Sequence, residues 1–165
     1  MNRLDLNKAI SIKQPWAYLI CAGIKDVENR TWPLPKKYKG ERIFIHASGK
    51  TDKEPYMLFS DDQINCIGDH RIMDVIGSYG MTSAIIGHVD IVDCVINYDS
   101  IWAEQSDMFR RTHSAGIVSN PPIYNWVLAN PVLFDKPILN VKGKLSFWDC
   151  SEYLIQTELQ PNTTD

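Results

Sequence analysis

Three charged residues in one short run hold the most explicit chemistry of this sequence: Lys25, Glu28 and Arg30, spaced as G-x-K-x-x-E-x-R from Gly23. A lysine in such a run can contact a phosphate or carbonyl oxygen, and it can act as a general base if burial lowers its pKa. A glutamate can accept hydrogen bonds from an exocyclic amine, and an arginine grips phosphate with a fork of donors. Each also has a plain structural use. Lys25 follows a helix C-terminus, where the macrodipole favours a cation. Glu28 and Arg30 can pair across a cleft simply to hold it together. Sequence alone leaves both uses open.

Other candidates surround this run. Lys13 and Gln14 lie at a strand-to-helix junction, where free N–H groups can take an anion. Trp16 and Trp32 flank the basic stretch, and stacking a base on an aromatic ring contributes roughly 1–3 kcal/mol. His46 and Ser48 share the strand face opposite Ile43 and Ile45, where a hydrogen-bonded structural histidine is the commoner role. Trp126 and Trp148 sit in strands and read as core. The histidines at 46, 70, 88 and 113 form no HxH or HxxxH spacing, and no cysteine pairs with them. With no P-loop, G-x-G-x-x-G or G-x-S-x-G either, neither metal nor cofactor is expected.

Local patterning says which elements carry these residues. Residues 7–13 read as a strand. A helix over 15–22 has Pro15 in its first turn and stops at Gly23, a natural left-handed residue. Residues 25–32 are extended, so period-two alternation puts Asp26, Glu28, Arg30 and Trp32 on one face. Further strands are expected at 41–48, 84–96, 123–129, 132–139 and 143–149. One or two surface helices fall within 50–76, with Thr51-Asp52 as a cap near Lys53, leading to a turn at Gly77–Gly80. Residues 97–121 form a partly helical loop. Regular strand–helix alternation is missing, which disfavours a parallel βαβ sandwich and points to a small α+β barrel.

The chain of 165 residues reads as a single domain over 1–156, with a helical insertion at 50–80 and a polar, frayed tail at 157–165. Its 44% hydrophobic content can fill a core without covalent staples. No run of 18 apolar residues is present, so no membrane partner is expected. Four scattered cysteines with no CxxC pair point to a reducing, cytoplasmic setting. The net charge of −3 disfavours indiscriminate nucleic-acid binding, yet residues 13–50 carry eight Lys/Arg against three acids. That local balance of +5 leaves −8 elsewhere, an asymmetry that marks either a face for a polyanion or a solvated basic loop.

In order along the chain, SIKQPWA, GIKDVENRTW, GERIFIHAS, Gly87-His88-Val89, YNWVL and GKLSFW resemble the ASCH domain, over roughly residues 8–149. The resemblance implies a PUA-like fold, a pseudo-barrel of five to six mostly antiparallel strands with flanking helices and a cleft beside the G-x-K-x-x-E-x-R run. It implies RNA or a modified nucleobase or nucleoside as partner. Some small ASCH-like proteins are amidohydrolases that remove the acetyl group of N4-acetylcytidine with a lysine, a threonine and a glutamate, and ribonuclease activity is attributed to others. Lys25 matches the family lysine. The threonine position falls at Glu28, so this chain departs from the hydrolytic pattern, and an enzymatic reading rests on Lys25 and Glu28.

Overall fold

The computed structural model describes residues 7–53, 57–107 and 121–158. Strand β1 (Lys8–Ile12) buries Ala9, Ile10 and Ile12 and leads directly into helix α1 (Trp16–Cys21). Pro15 is the N-cap rather than the first helical residue, and its carbonyl accepts from Leu19 N at 3.0 Å. The helix buries Ala17, Leu19, Ile20 and Cys21. Removing Leu19 and Ile20 from water contributes about 1.5–3 kcal/mol each. Strand β2 (Val27–Arg30) follows, shorter than the expected 25–32. Asp26 and Trp32 therefore leave the face that Glu28 and Arg30 share.

Strand β3 (Glu41–Ala47) comes after a single 3-10 turn at Lys36–Tyr38. Two helices, α2 (Asp61–Ile67) and α3 (Asp69–Ser78), occupy the expected helical stretch. They begin later than predicted, because the cap is Ser60 in a capping box with Gln63. Asp52 is occupied elsewhere, accepting from Trp16 Nε1 at 2.9 Å. Helix α3 runs on through Gly77, so the following turn starts one residue beyond it.

Strand β4 (Ala84–Val95) matches its expected span, and the two strands expected at 123–129 and 132–139 are one strand, β5 (Tyr124–Ile138). Asn130 and Pro131, which separate those two expected strands, are absorbed by β5 as a bulge, with Asn130 at φ 50° and the register shifting opposite His88 and Asp90. Strand β6 (Phe147–Asp149) covers only the end of the expected 143–149, and helix α4 (Ser151–Glu158) closes the described chain. Residues 97–107 contain no helix. The rest of that expected loop, 108–120, and most of the expected tail, 159–165, lie outside the described residues.

The six strands form one curled sheet in the order β2-β5-β4-β3-β1-β6, antiparallel except for β1 with β3. The result is an α+β pseudo-barrel, a half-barrel with four α-helices around it among the described residues. Ile43, Ile45, Ile86, Val89, Ile91 and Trp126 fill its interior together with Ile20 of α1. A second cluster seats α2 and α3 against α1 through Leu19, Ile24, Ile67, Val75 and Trp102. Edge strand β2 does not pair with β1 or β6, so the curl leaves an open seam.

Candidate functional site

The end of α1 aims the motif at that seam. Gly23 adopts φ +75° and donates to Ile20 O at 3.0 Å, while Ile24 N donates to Leu19 O at 2.9 Å. These two bonds are a Schellman cap, completed by the packing of Ile24 with Leu19. Lys25 N also bonds Leu19 O at 2.9 Å, which fixes where its side chain departs. Pairing of Glu28 with Trp126 and Arg30 with Tyr124 then holds β2 against β5.

A cleft of about 630 Å³ occupies the seam, and Lys13, Trp16, Lys25, Glu28, Arg30 and Ser48 all line it. Glu28 stands between two cations, with Arg30 Nε 2.9 Å from Oε1 and Lys25 Nζ 3.7 Å from Oε2. The Arg30 contact lies off the N–H direction, since that buried Nε makes no aligned hydrogen bond. Arg30 Nη2 instead donates to Ser11 O of β1 at 3.2 Å, and this bond spans the gap that the sheet leaves open. The guanidinium lies 5.9 Å from the centre of the Trp126 ring.

Lys25 is only 5% exposed. Its ammonium donates to the Val27 carbonyl and lies 6.0 Å from the centre of the Trp16 ring. Burial pushes its pKa below the ordinary 10.5, and the carboxylates of Glu28 and Glu104 partly oppose that shift. Trp16 is fixed by its bond to Asp52 and by edge-to-face packing on Phe59, with ring centres 5.4 Å apart. Phe59 packs in turn on Trp102 at 6.1 Å. The cleft lining is therefore both aromatic and charged.

Three predicted site residues lie outside this lining. Gln14 is fully buried; its Oε1 accepts from Tyr18 N at 2.9 Å and its Nε2 donates to Met81 O at 3.0 Å, so it secures α1. Trp32 packs edge-on against Trp126 at 4.7 Å and Phe147 at 5.9 Å. His46 is 1% exposed, between Ser11 Oγ and the Val141 carbonyl, each at 2.9 Å. All three lie beyond the first layer of the cleft because stronger local partners claim them.

The structure also adds residues that sequence reasoning missed. Asn29, Trp102, Glu104, Lys144 and Leu145 line the cleft. Asn29 Oδ1 accepts from Glu104 N at 3.0 Å and from the fully buried Asn125 Nδ2 at 2.9 Å, and Asn29 Nδ2 donates to Trp102 O at 2.9 Å. This amide network brings the 98–106 loop to the seam. The signal was a tryptophan and a glutamate (IWAEQ) inside a stretch with no periodicity. Among the described residues, no group of three or more His, Cys, Asp or Glu is placed to hold a metal ion, and no helix is long and apolar enough to cross a membrane.

A curled α+β pseudo-barrel with a charged and aromatic cleft along its open seam is a PUA-like architecture. The chain belongs to the ASCH domain family, whose sequence model matches residues 10–138. Over 94 residues it is 30% identical to activating signal cointegrator 1 of Mus musculus and 29% identical to that of Homo sapiens. Each match covers 52% of this chain and 14% of the relative, so the chain spans about one seventh of those proteins. The fold is similar to that of the ASCH protein of Zymomonas mobilis, with a TM-score of 0.52 at 17% identity over 92% of this chain and 96% of that one.

Proposed function

We propose that the seam cleft binds RNA or a modified nucleobase. The observation that carries this reading is the Lys25–Glu28–Arg30 cluster beside Trp16 in one cleft. Lys13 and Arg30 supply charge for phosphate, Glu28 offers acceptors to a polar base edge, and Trp16 offers a ring face for stacking. Only part of Glu28 is committed to its cations, because a carboxylate has about four lone-pair sites. Membership of the ASCH family supports the same reading. Binding should weaken as salt rises, because phosphate contacts release counterions. Lys25→Ala and Arg30→Ala should each abolish binding of bulk tRNA in a filter or anisotropy assay. Salt-independent binding, or unchanged affinity in both variants, would overturn the proposal.

A second reading is favoured by one observation, the burial that lowers the Lys25 pKa. A lysine that loses its proton more readily can serve as a general base, with Glu28 as its partner, in hydrolysis of an N-acyl group on a cytosine-type base. Incubation with bulk tRNA and with free N4-acetylcytidine, beside Lys25→Ala, separates the readings by product mass. Loss of acetyl groups that vanishes in the variant makes the cleft hydrolytic. Intact substrates leave it a binding site.

A further inference from the structure

The cleft rim at residues 142–146 is tightly held and yet presents a leucine to solvent. Val141 N bonds Ser83 O at 2.8 Å, and the Val141 carbonyl meets His46 Nε2 at 2.9 Å. A carbonyl can only accept, so Nε2 carries the ring proton and Nδ1 faces Ser11 Oγ as an acceptor. The same hydroxyl lies 3.3 Å from the Lys144 carbonyl. Gly143 rests directly on this pair, since a Cβ there would come within 2.5 Å of His46 Cε1 and 2.6 Å of Ser11 Oγ. The rim is thus held from below by the bonds of Val141 and by close packing at Gly143. Leu145 is nonetheless 95% exposed, on a residue that lines the cleft.

Its neighbours are cations with no carboxylate partner. Lys142 and Lys144 are exposed, and neither forms an ion pair among the described residues, although Lys144 Nζ lies 6.0 Å from the centre of the Trp148 ring; Lys13, also on the cleft lining, forms none either. On the outer surface, by contrast, Lys8, Lys39 and Arg42 each pair with an aspartate. A free nucleoside has no phosphate for such lysines and no adjacent base for the leucine. A polynucleotide has both. An apolar side chain inserted at a base step unstacks it, and an unpaired strand yields its stacking at the lowest cost.

We infer that the ligand of the cleft is an unpaired strand of nucleic acid, in which Leu145 separates the base held in the cleft from its neighbour while Lys142 and Lys144 meet the flanking phosphates. This rests on the reading of the cleft as a base-binding site. The test uses a short mixed-sequence RNA carrying internal 2-aminopurine, whose emission rises on unstacking, with anisotropy of an end label reporting affinity. Wild-type binding should raise the emission. Leu145→Ala should weaken binding about tenfold and remove the rise, and Leu145→Met should keep both. Lys142→Ala and Lys144→Ala should each reduce the salt slope by about 0.7. Lys25-dependent binding that is equal in Leu145→Ala, with the same emission rise, would overturn the wedge alone. Equal or tighter binding of the duplex form would do the same. No binding of RNA by the wild type, or full binding by Lys25→Ala, would overturn the cleft reading and the wedge with it.

Discussion

Removing the charge of Glu28 leaves Lys25, 5% exposed, and Arg30 without their shared counter-ion. Glu28→Gln should therefore destabilise the fold by about 2–3 kcal/mol, less than the roughly 3–5 typical of a broken buried pair because Arg30 keeps 24% of its side chain in solvent. Lys25→Met should cost less than about 1 kcal/mol, since Arg30 still balances Glu28 and a desolvated cation has gone. The pH dependence has a definite sign. Between the lowered native pKa of Lys25 and its ordinary 10.5, the unfolded chain holds a proton that the fold does not, so stability rises with pH. Urea titrations should show the wild type gaining on Lys25→Met as pH approaches 10.5; parallel profiles would mean that Lys25 titrates normally. Glu28 and Arg30 were legible at this scale because their spacing matches a strand face, and Lys25 because it follows a helix C-terminus. The roles of Gln14, Trp32 and His46 were not, because a residue type does not reveal which partner, backbone carbonyl or ring, lies behind it.

Among the elements, the turn after α1 determines where the motif sits. Gly23→Ala must hold φ +75° with a Cβ 3.1 Å from Pro131 Cγ. It should cost about 1–2 kcal/mol, measured by denaturant unfolding, and should weaken ligand binding as well, since Lys25 departs two residues later. Stability unchanged in that variant would mean the Schellman cap is not needed to hold the turn. Strands β1, β3 and β4 were readable because alternating or continuous apolar residues fix their register. In sequence, Asn130 and Pro131 divide β5 in two by purely local character, whereas the bulge that accommodates them depends on Asp90 of the neighbouring strand, bonded to Asn130 Nδ2 at 2.9 Å. The 98–106 loop has no periodicity at all, and its place is set by Asn29 and Asn125, which are 96 residues apart.

For the whole molecule, two histidines govern the response to mild acid. Burial lowers the pKa of His46 and of His88 below the ordinary 6.5, with Arg42 adding to the effect at His88, whose buried Nδ1 has no hydrogen-bond partner among the described residues. Groups depressed in this way are protonated in the unfolded chain first. The contribution of these two histidines to stability is therefore complete above about pH 6.5 and falls as pH drops through that value toward the native pKa values. Carboxylates contribute later: Asp149, bonded to Ser151 and Lys8, is held down to about 2. Thermal melts should lose stability between pH 6.5 and 5, and the His46→Gln/His88→Gln double variant should flatten that slope; an unchanged slope would assign it to other groups. The fold class was legible at this scale, but the seam was not. Which two edges of a curled sheet fail to pair depends on strand order, and strand order is a property of packing that no single segment carries.

The same strand order has a mechanical consequence. Strands β1 and β6 run antiparallel with Lys8 opposite Asp149, and the chain enters and leaves them side by side, where Cys150 N bonds Asn7 O at 2.8 Å. A pull applied between those two points loads the rungs in succession, Lys8–Asp149, then Ala9–Trp148, then Ile10–Phe147, instead of shearing them together. Peeling β6 frees Phe147 and with it one end of the 142–146 rim, while Ser11 stays paired with His46 of β3 and keeps its carbonyl on Arg30. Traction between those points would thus loosen the cleft rim first, while β1, β3, β4 and β5 still hold their shape.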